Sequence, residues 1–248
     1  MIKKNNDLYS SYVLDKNNIE ELREVQKLRY QFLNREYNPN LPEDGIDDDG
    51  YDEISDILVI KDKSKNKIVG TYRVTSPITN KEGKPYLIER QFNIDSIKNS
   101  GELFGQLSRA CVHKDYRNGL VIRKLFVLIY EYFTKNKIRY SVGTVSFHGV
   151  DENKYKNAFT YLYRNYSFEQ FEIKSVMNPF NLNMLNDDVK IDKIKSKEEM
   201  PGLLQMYLLF SSKIYKVGSI DKNFNDIDVF SFIDFNVIDQ RILRFFIK

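Results

Sequence analysis

The sequence is poor in the residues that build metal centres and covalent cross-links. Its 248 residues include one cysteine, Cys111, two histidines, His113 and His148, and no tryptophan. A single cysteine cannot form an intramolecular disulfide, and three such side chains are too few for the usual zinc ligand sets. We therefore expect no metal site, and the reducing cytoplasm is the compartment that suits this composition best.

Long hydrophobic runs are also missing. No apolar run approaches the ~18 residues that a membrane-spanning helix needs, and the polar start over residues 1–6 does not resemble a secretory signal. Hydrophobic residues make up 42% of the chain and charged residues 29%, which is typical of a globular protein. These features predict a water-soluble protein of one large domain or two small ones.

An excess of charge of one sign is absent too. The chain has 38 Lys and Arg against 35 Asp and Glu, and its basic residues are scattered. Nucleic-acid binding needs a concentrated basic surface, so no nucleic acid is expected as a partner. The nearest cluster is Arg117, Arg123 and Lys124. It suits an acidic protein partner or a phosphorylated ligand, and an ordinary solvated surface is the alternative.

Hydrophobic periodicity predicts alternating helices and strands without repeats or linkers. Helices are predicted over 19–33, 119–134, 151–165, 201–212 and 237–246, and strands over 56–60, 68–75, 106–112, 140–147 and 227–233. Residues 39–52 form a long acidic loop, and 76–103 are rich in loops. This order indicates an α/β class, an α+β sandwich in which helices flank a mixed central β-sheet.

A strand, a turn and a very apolar helix follow one another over residues 106–133. The first backbone N–H groups of a helix have no partners inside it and carry partial positive charge. With Arg117 and Arg123 beside them, these amides can hold a phosphate or pyrophosphate. The alternative is that Asn118 simply caps the helix and nothing binds.

Two arginines stand among apolar neighbours. Arg29 projects from the middle of the apolar stripe of the helix predicted over 19–33. Arg73 lies in the strand predicted over 68–75, which forms a hairpin with the strand over 56–60. A buried guanidinium needs a carboxylate partner, whereas a long side chain at the margin reaches water. The acidic loop offers carboxylates that can pair with both arginines and shape a pocket for an amine or amino acid, unless they are solvated singly.

Strict alternation along the strand 106–112 places Gln106 and Arg109 on opposite faces. Only a β-bulge would bring them together. Cys111 is predicted to be an inert core thiol, and His113 and His148 lack a second ligand or acid at motif spacing.

At this point the sequence shows a family resemblance. The segment 106–117, QLSRACVHKDYR, resembles the signature block of the bacterial N-acyltransferases that make ornithine and related aminolipids. These enzymes are a branch of the GNAT superfamily, close to the acyl-homoserine lactone synthases. Matching segments, in order, are 28–30, 68–74, 146–149, 220–224 and 227–234. The resemblance extends from about residue 19 to the C-terminus.

The resemblance implies a single GNAT-like domain over 1–248, with 185–248 as a family-type extension packed on it. It implies that central strands hold the pantetheine arm of the acyl donor while its phosphate sits on the helix start. No cofactor would be tightly bound, and the co-substrate would be the phosphopantetheine of acyl-acyl carrier protein (ACP) or acyl-CoA. The implied donor-binding residues are Val112, Arg117, Asn118, Gly119, Leu120, Val121 and Ile122.

The same resemblance also implies which residues bind the acceptor, and the sequence departs from the family pattern at two positions. Arg29, Asp52, Arg73 and Arg109 would shape the acceptor pocket and the carrier-protein face, and Ser146 would also bind substrate. Gln106 stands where the family usually has the glutamate that deprotonates the amine, and glutamine cannot accept that proton. Asp52, Glu102 or a water chain would then act as the base, or activity is altered or lost. Leu120 stands where glycine is common.

The resemblance therefore implies an N-acyltransferase that moves a long acyl chain from ACP or CoA to the α-amine of an amino acid. The product would be a lyso-aminolipid or an N-acyl amino acid. ACP and the amino acid are the expected partners, with peripheral contact at the inner membrane through the tail 237–246 unless that tail packs on the core. Alternatives are an acyl-homoserine lactone synthase, a short-chain acetyl-CoA-dependent acetyltransferase, or a degenerate module that binds an acyl carrier or lipid.

Overall fold

The computed structural model describes residues 8–247, including their side chains except those of Tyr37, Gln240, Phe245 and Ile247. The strands are β1 Tyr9–Val13, β2 Asp56–Asp62, β3 Lys67–Thr75, β4 Phe92–Asn93, β5 Phe104–Val112, β6 Tyr140–His148, β7 Lys174–Ser175, β8 Pro179–Asn181, β9 Lys213–Asp221 and β10 Asp226–Asp234. The α-helices are α1 Ile19–Arg29, α2 Arg35–Tyr37, α3 Asp95–Lys98, α4 Leu120–Lys135, α5 Lys156–Tyr166, α6 Lys193–Glu199, α7 Gly202–Leu209 and α8 Gln240–Ile247. Within 8–247, no helix has the length and apolar character needed to cross a membrane.

The chain divides into two compact units. The first contains residues 1–84, 107–137 and 243–248, and the second contains 85–106 and 138–242. The prediction of a single domain with an extension over 185–248 stays a prediction. Of that extension, 185–242 belong to the second unit and the rest to the first.

In the first unit the strands follow the order β1-β2-β3-β5, and β2 and β3 form an antiparallel hairpin. Helix α1 begins after Asn18, whose side chain accepts a hydrogen bond from the Glu21 N–H, as an N-cap should. Apolar residues of α1 pack with those of the hairpin in a core that contains Leu14, Val25, Leu28, Ile57, Val59, Ile68 and Cys111. A π-helical turn, Tyr30–Asn34, then continues α1 into α2.

Helix α4 packs closely on the same hairpin. A Cβ atom added at Gly70 of β3 would lie 2.5 Å from Cγ1 of Val121 and 3.3 Å from Cδ1 of Leu125. Only glycine allows the helix to approach the strand this closely. The absence of a side chain at Gly70 therefore lets the start of α4 lie directly against β3.

In the second unit the order is β5-β6-β10-β9-β8, with strand β5 contributing residues to both units. The β5–β6 pair is parallel, and its register covers only Phe104–Gln106 against Tyr140–Val142. Strand β10 pairs antiparallel with both β6 and β9, so the sheet is mixed. A core rich in aromatic rings packs on it and includes Tyr86, Phe92, Phe104, Tyr140, Phe230 and Phe232.

The predicted α/β class with a mixed sheet and flanking helices is confirmed. Several boundaries differ from prediction, including those of two helices. The predicted helix over 151–165 starts as a 3-10 turn, Glu152–Tyr155, before α5. Pro201 is the N-cap of α7 rather than its first residue, and the helix ends at Leu209. The periodicity also missed β1, β7, β8, β9 and α6, of which β7 and β8 have only two and three residues and are too short to show alternation.

The C-terminal tail packs on the core at the positions that the structure describes. Ile238 and Phe246 are buried, and the Phe246 ring lies 5.6 Å from that of Phe126. Val237 is exposed, and the side chain of Phe245 lies outside the described part. For Ile238 and Phe246 the core-packing alternative therefore holds.

Candidate functional site

Six side chains of the first unit form a closed ring of alternating charge, which we call the charged ring. Its ion pairs join, in order, Arg29, Asp52, Arg73, Asp49, Arg109, Asp47 and again Arg29. The three arginines come from α1, β3 and β5, and the three aspartates come from the acidic loop before β2. For Arg29 and Arg73 the sequence left open whether they pair with loop carboxylates or reach water, and the structure shows the pairing.

The inner part of the ring is fully buried. The side chains of Arg29 and Arg73 have no exposed surface, and that of Asp52 keeps 5%. Arg29 donates to both oxygens of Asp52, at 2.9 and 2.5 Å, while its Nε makes an ion-pair contact of 2.9 Å with Asp47. Arg29 is therefore buried with carboxylate partners, and its side chain does not extend to water.

Two neutral side chains add hydrogen bonds to this inner part. Gln26 donates to Asp52 at 3.0 Å, and Arg73 donates from Nε to the Ser108 hydroxyl at 3.0 Å. Burial opposes ionisation of Asp52, but hydrogen bonds and charge from Arg29, then Gln26 and Arg73, hold its pKa below the ordinary range. Asp52 is thus a permanently ionised carboxylate and a weak proton acceptor.

The outer part of the ring reaches the surface. Arg109 keeps 26% of its side chain exposed and Asp49 keeps 17%, and the two meet at 2.8 Å. Burial again opposes ionisation of Asp49, yet its bonds to Arg73 and the charge of Arg109 leave its pKa far below normal. A guanidinium and a carboxylate are therefore partly exposed side by side.

Arg109 itself has an unusual backbone. Its φ of +56° places it in the left-handed region, inside strand β5. For an arginine this conformation is uncommon, and within a strand it is typical of a bulge. The ion pairs of Arg109 with Asp47 and Asp49 provide the packing that holds such a strained residue.

Gln106 is buried in the second unit. Its side-chain oxygen accepts a hydrogen bond of 3.1 Å from the backbone N–H of Ile88, and 2% of the residue is exposed. Glu102, another residue predicted as a base, pairs with Arg139 at 2.7 Å. The Glu102 carboxylate is thus held by an arginine, as is that of Asp52.

The start of α4 has the predicted turn, with one amide already capped. Gly119 has a φ of +89° and open space where a Cβ would lie. Asn118 accepts a hydrogen bond of 3.0 Å from the N–H of Leu120, while Gly119 is the N-cap residue itself. The side chain of Val121 is buried against Gly70, which leaves its backbone N–H, and that of Ile122, as first-turn donors.

The Arg117 guanidinium already has three partners. Its guanidinium pairs with Glu36 at 2.8 Å and donates to the carbonyl oxygens of Val112 and Phe32, at 2.9 and 3.0 Å. These contacts bind the turn after β5 to the segment that follows α1. A phosphate would meet Arg117 through its remaining exposed surface, 42% of the side chain.

The structure reveals two features that the sequence analysis missed. A cavity of about 330 Å³ lies in the first unit beside Gln26 and Asp52, with Lys16 and Arg23 in its wall. In the second unit, Asp226 and Asp228 of β10 are buried near Asp221, and burial with the charges of Asp228 and Asp221 raises the pKa of Asp226 to about 7. The alternation of Asp226 and Asp228 with apolar residues was the available signal.

The side chains that could support metal or thiol chemistry are accounted for. Among residues 8–247, no group of three His, Cys, Asp or Glu side chains is arranged to hold a metal ion. Burial raises the pKa of the Cys111 thiol to about 12, so it is no nucleophile near neutral pH. Burial and the charge of Lys67 lower the pKa of His113, which keeps this imidazole neutral.

Comparison with known protein families gives a match over the part of the chain that contains the charged ring. Residues 28–127 match the family model described as an acetyltransferase (GNAT) domain. This segment contains the whole charged ring and the start of α4. Residues 28–127 are thus similar to a GNAT domain, and this match, with the relatives below, supports an acyltransferase activity.

Two curated relatives are similar along nearly the whole chain, and both are named L-ornithine N(alpha)-acyltransferase. The protein of Rhodobacter capsulatus is 23% identical over 238 residues, which cover 92% of this chain and 92% of that protein. The protein of Agrobacterium fabrum is 25% identical over 243 residues, covering 92% and 82%.

Solved structures show the same fold. BjaI, a CoA-dependent acyl-homoserine lactone synthase solved with MTA, has a TM-score of 0.54 at 13% identity over 96% of this chain and 87% of its own. TofI, in a ternary complex with an inhibitor and MTA, has a TM-score of 0.54 at 12% identity over 96% and 97%. At these identities the likeness concerns the fold.

Proposed function

We propose that the protein transfers a long acyl chain from acyl-ACP or acyl-CoA to the α-amine of an amino acid, with ornithine as the first candidate. The product is then a lyso-aminolipid or N-acyl amino acid made in the cytoplasm, with peripheral contact at the inner membrane. The similarity to two L-ornithine N(alpha)-acyltransferases over 92% of the chain supports the reaction. The observation that carries the acceptor class is the partly exposed ion pair of Arg109 and Asp49.

An amino acid presents a carboxylate and an ammonium group within a few ångströms of each other. Arg109 is suited to the carboxylate, because a guanidinium matches its two oxygens, and Asp49 is suited to an ammonium group. Arg29 and Arg73 have no exposed surface, so we propose that they position these two groups rather than touch the acceptor. In this scheme the charged ring is a rigid support for a zwitterion.

For the donor, we propose the start of α4 as the phosphate site. CoA and the phosphopantetheine of a carrier protein both present a phosphate that the amides of Val121 and Ile122 can bind. The left-handed Gly119 leaves open space beside them, and Val112 and Arg117 hold the turn through their 2.9 Å hydrogen bond. Leu120 is partly exposed at the same turn.

Acyl transfer then proceeds by direct attack. The amine nitrogen bonds to the thioester carbon, the carbon–sulfur bond breaks, and the amine loses one proton while the thiolate gains one. Cys111 takes no covalent part, because it is buried and its pKa is raised to about 12. Backbone N–H groups stabilise the negative charge that develops on the carbonyl oxygen.

The test is a direct assay with the purified protein. Acyl-ACP and acyl-CoA donors of 2 to about 18 carbons are offered with a panel of amino acids that includes ornithine, lysine and glycine, and N-acyl products are detected by mass spectrometry. We expect N-acyl ornithine from long-chain donors. A preference for acetyl-CoA, or a requirement for S-adenosylmethionine, would replace this proposal with an acetyltransferase or a lactone synthase.

One observation favours a second candidate function, a binding module without turnover. By the family resemblance Gln106 stands where the base would be, and its side-chain oxygen already accepts a hydrogen bond from the Ile88 N–H. A folded protein that binds acyl-ACP in calorimetry, but forms no product with any acceptor, would establish that alternative.

A further inference from the structure

The cavity of about 330 Å³ in the first unit is formed by the segment between β1 and α1, by α1, and by the segment that leads into β2. Neither Arg109 nor Asp49, the proposed acceptor pair, is among the described residues of its wall. Its volume lies at the lower end of the range that small-molecule sites occupy. The cavity is thus a candidate site for a small metabolite, built from other residues than the acceptor pair.

Part of the cavity wall is aliphatic and continuous with the core. It contains Leu14, Ile19, Leu22 and Ile57. Leu14 and Ile57 are buried members of the core of the first unit, and Leu22 packs against that core. An aliphatic group of a ligand would lose its contact with water against these side chains, which favours binding.

Three buried polar residues of the wall already have partners inside the protein. The side-chain amide of Gln26 donates to Asp52 at 3.0 Å, and Asp52 is held by Arg29 in the charged ring. The hydroxyl of Ser55 donates to the carbonyl oxygen of Tyr51 at 2.7 Å. These groups shape the cavity, so the charges of a ligand have to be matched by other residues of the wall.

Those other residues are two cations and two anions, Lys16, Arg23, Asp48 and Glu53. The side chains of Lys16, Arg23 and Asp48 keep 48%, 49% and 45% of their surface exposed. Their described ion pairs are long, 3.5 Å from Lys16 to Asp56 and 3.6 Å from Arg23 to Asp48. Exposed contacts at such distances contribute little to stability, so a ligand can replace them with shorter ones at small cost.

This balance of charge selects among classes of ligand. A fatty acid would bring its carboxylate to Lys16 and Arg23, but it would leave Asp48 and Glu53 facing an anion without a cation to match them. An aliphatic amine has the opposite defect. A zwitterion offers one charge to each pair, and a free amino acid carries both charges on one carbon atom together with a side chain.

We propose that this cavity binds a free amino acid with an aliphatic side chain, such as leucine. Its carboxylate pairs with Arg23 and Lys16, its ammonium group pairs with Asp48 and Glu53, and its side chain lies against Leu22 and the adjoining core. Ornithine fits less well, because its second ammonium group would be buried against aliphatic residues. The site therefore goes beyond the proposed acyl transfer.

Isothermal titration calorimetry of the purified protein tests the ligand class. We expect leucine to bind with a Kd below about 1 mM. Isocaproate, which lacks the ammonium group, and isoamylamine, which lacks the carboxylate, should each bind about tenfold or more weakly. Glycine should also bind weakly, since it has no aliphatic group. No binding of leucine up to about 10 mM, or isocaproate binding as tightly as leucine, would overturn the inference.

Two variants with the same loss of charge test the position of the site. Arg23→Gln removes a cation of the wall at a half-exposed position and should weaken leucine binding about tenfold or more. Lys135→Gln is the matched control, because Lys135 is exposed at the end of α4 and is not among the described residues that line the cavity. Its Kd for leucine should stay within about twofold of wild type, since an exposed charge outside the site is screened by salt.

Arg109→Gln separates this site from the acceptor pair. Leucine binding should persist in this variant, because Arg109 is not among the described residues of the cavity wall. Binding that is lost in Arg109→Gln but kept in Arg23→Gln would assign leucine to the acceptor pair and overturn the inference. The titrations need no acyl donor, so their outcome does not depend on whether the proposed acyl transfer occurs.

Discussion

The guanidinium of Arg73, which has no exposed surface, holds both oxygens of Asp49 at 2.5 and 2.8 Å, while the Asp49 side chain keeps 17% of its surface exposed. A fully buried cation therefore orients a carboxylate that reaches solvent. This bidentate contact fixes the carboxylate plane and links the interior of the first unit to the proposed acceptor site.

Removing Arg73 should strongly destabilise the protein. Arg73→Met leaves Asp49 and Asp52 without their shared cation, and breaking a buried pair in this way typically costs about 3–5 kcal/mol. Urea unfolding followed by circular dichroism measures the change. Replacement of an exposed lysine, Lys195→Met, should alter the unfolding free energy by less than about 0.5 kcal/mol. A loss below about 1 kcal/mol for Arg73→Met would contradict the closed ring.

Arg109→Gln should weaken acceptor binding. The glutamine amide keeps a donor but cannot pair as a cation with the acceptor's carboxylate, so we expect the KM of the amino acid to rise about tenfold or more. The KM of the acyl donor should change little. Steady-state kinetics with each substrate varied in turn distinguish these effects. An increase confined to the donor KM would assign Arg109 to the donor instead.

Gly70→Ala should destabilise the contact between β3 and α4. The new Cβ would lie 2.5 Å from Val121, and overpacking of this kind costs about 1–3 kcal/mol. Gly202→Ala is the control, because its Cβ would meet no atom within 4 Å. Thermal unfolding of both variants checks the prediction, which fails if they melt at the same temperature.

Stability should decrease with rising pH because of Asp226. Its pKa is raised to about 7 in the folded protein, so its contribution is fully present below the unfolded value near 4 and is lost as pH rises toward 7. Asp226→Asn should therefore raise the unfolding free energy at pH 8 by about 2 kcal/mol and change little at pH 4. Urea titrations between these pH values measure this, and equal stability at pH 8 would refute it.

Gln106→Glu distinguishes two accounts of the missing base. If another carboxylate or a water chain accepts the proton, a glutamate at 106 should raise kcat less than about threefold, since proton acceptance is already supplied. A gain of about 100-fold would instead show a decayed site that the glutamate restores. The same assay, run with saturating donor and acceptor, gives kcat for both proteins.

Part of the charged ring could be predicted from local pattern. The helical position of Arg29 among apolar residues predicts burial, and burial predicts a carboxylate partner. Which carboxylates serve could not be predicted, because Asp47, Asp49 and Asp52 lie in a loop without periodicity. Their pairing depends on contacts between residues far apart in the chain, and these exist only in the folded unit.

Strand β10 shows a second limit of prediction from the sequence. Its alternation predicts one apolar face and one polar face, and the sequence analysis therefore gave Asp226 and Asp228 no role. In the structure eight of its nine residues, Asp226 through Ile233, are buried, because both faces of this strand are covered. The left-handed φ of Arg109 could not be predicted from the alternation of residues either, because alternation assumes a regular strand.

The charged ring has no terminal member, since each of its six residues contacts two of opposite sign. Any single replacement consequently leaves two neighbouring charges without one of their ion-pair partners. Variation at these positions should therefore arise as joint exchanges of an arginine and an aspartate. Homologous chains that lack one ring member are expected to lack an adjoining member of opposite charge.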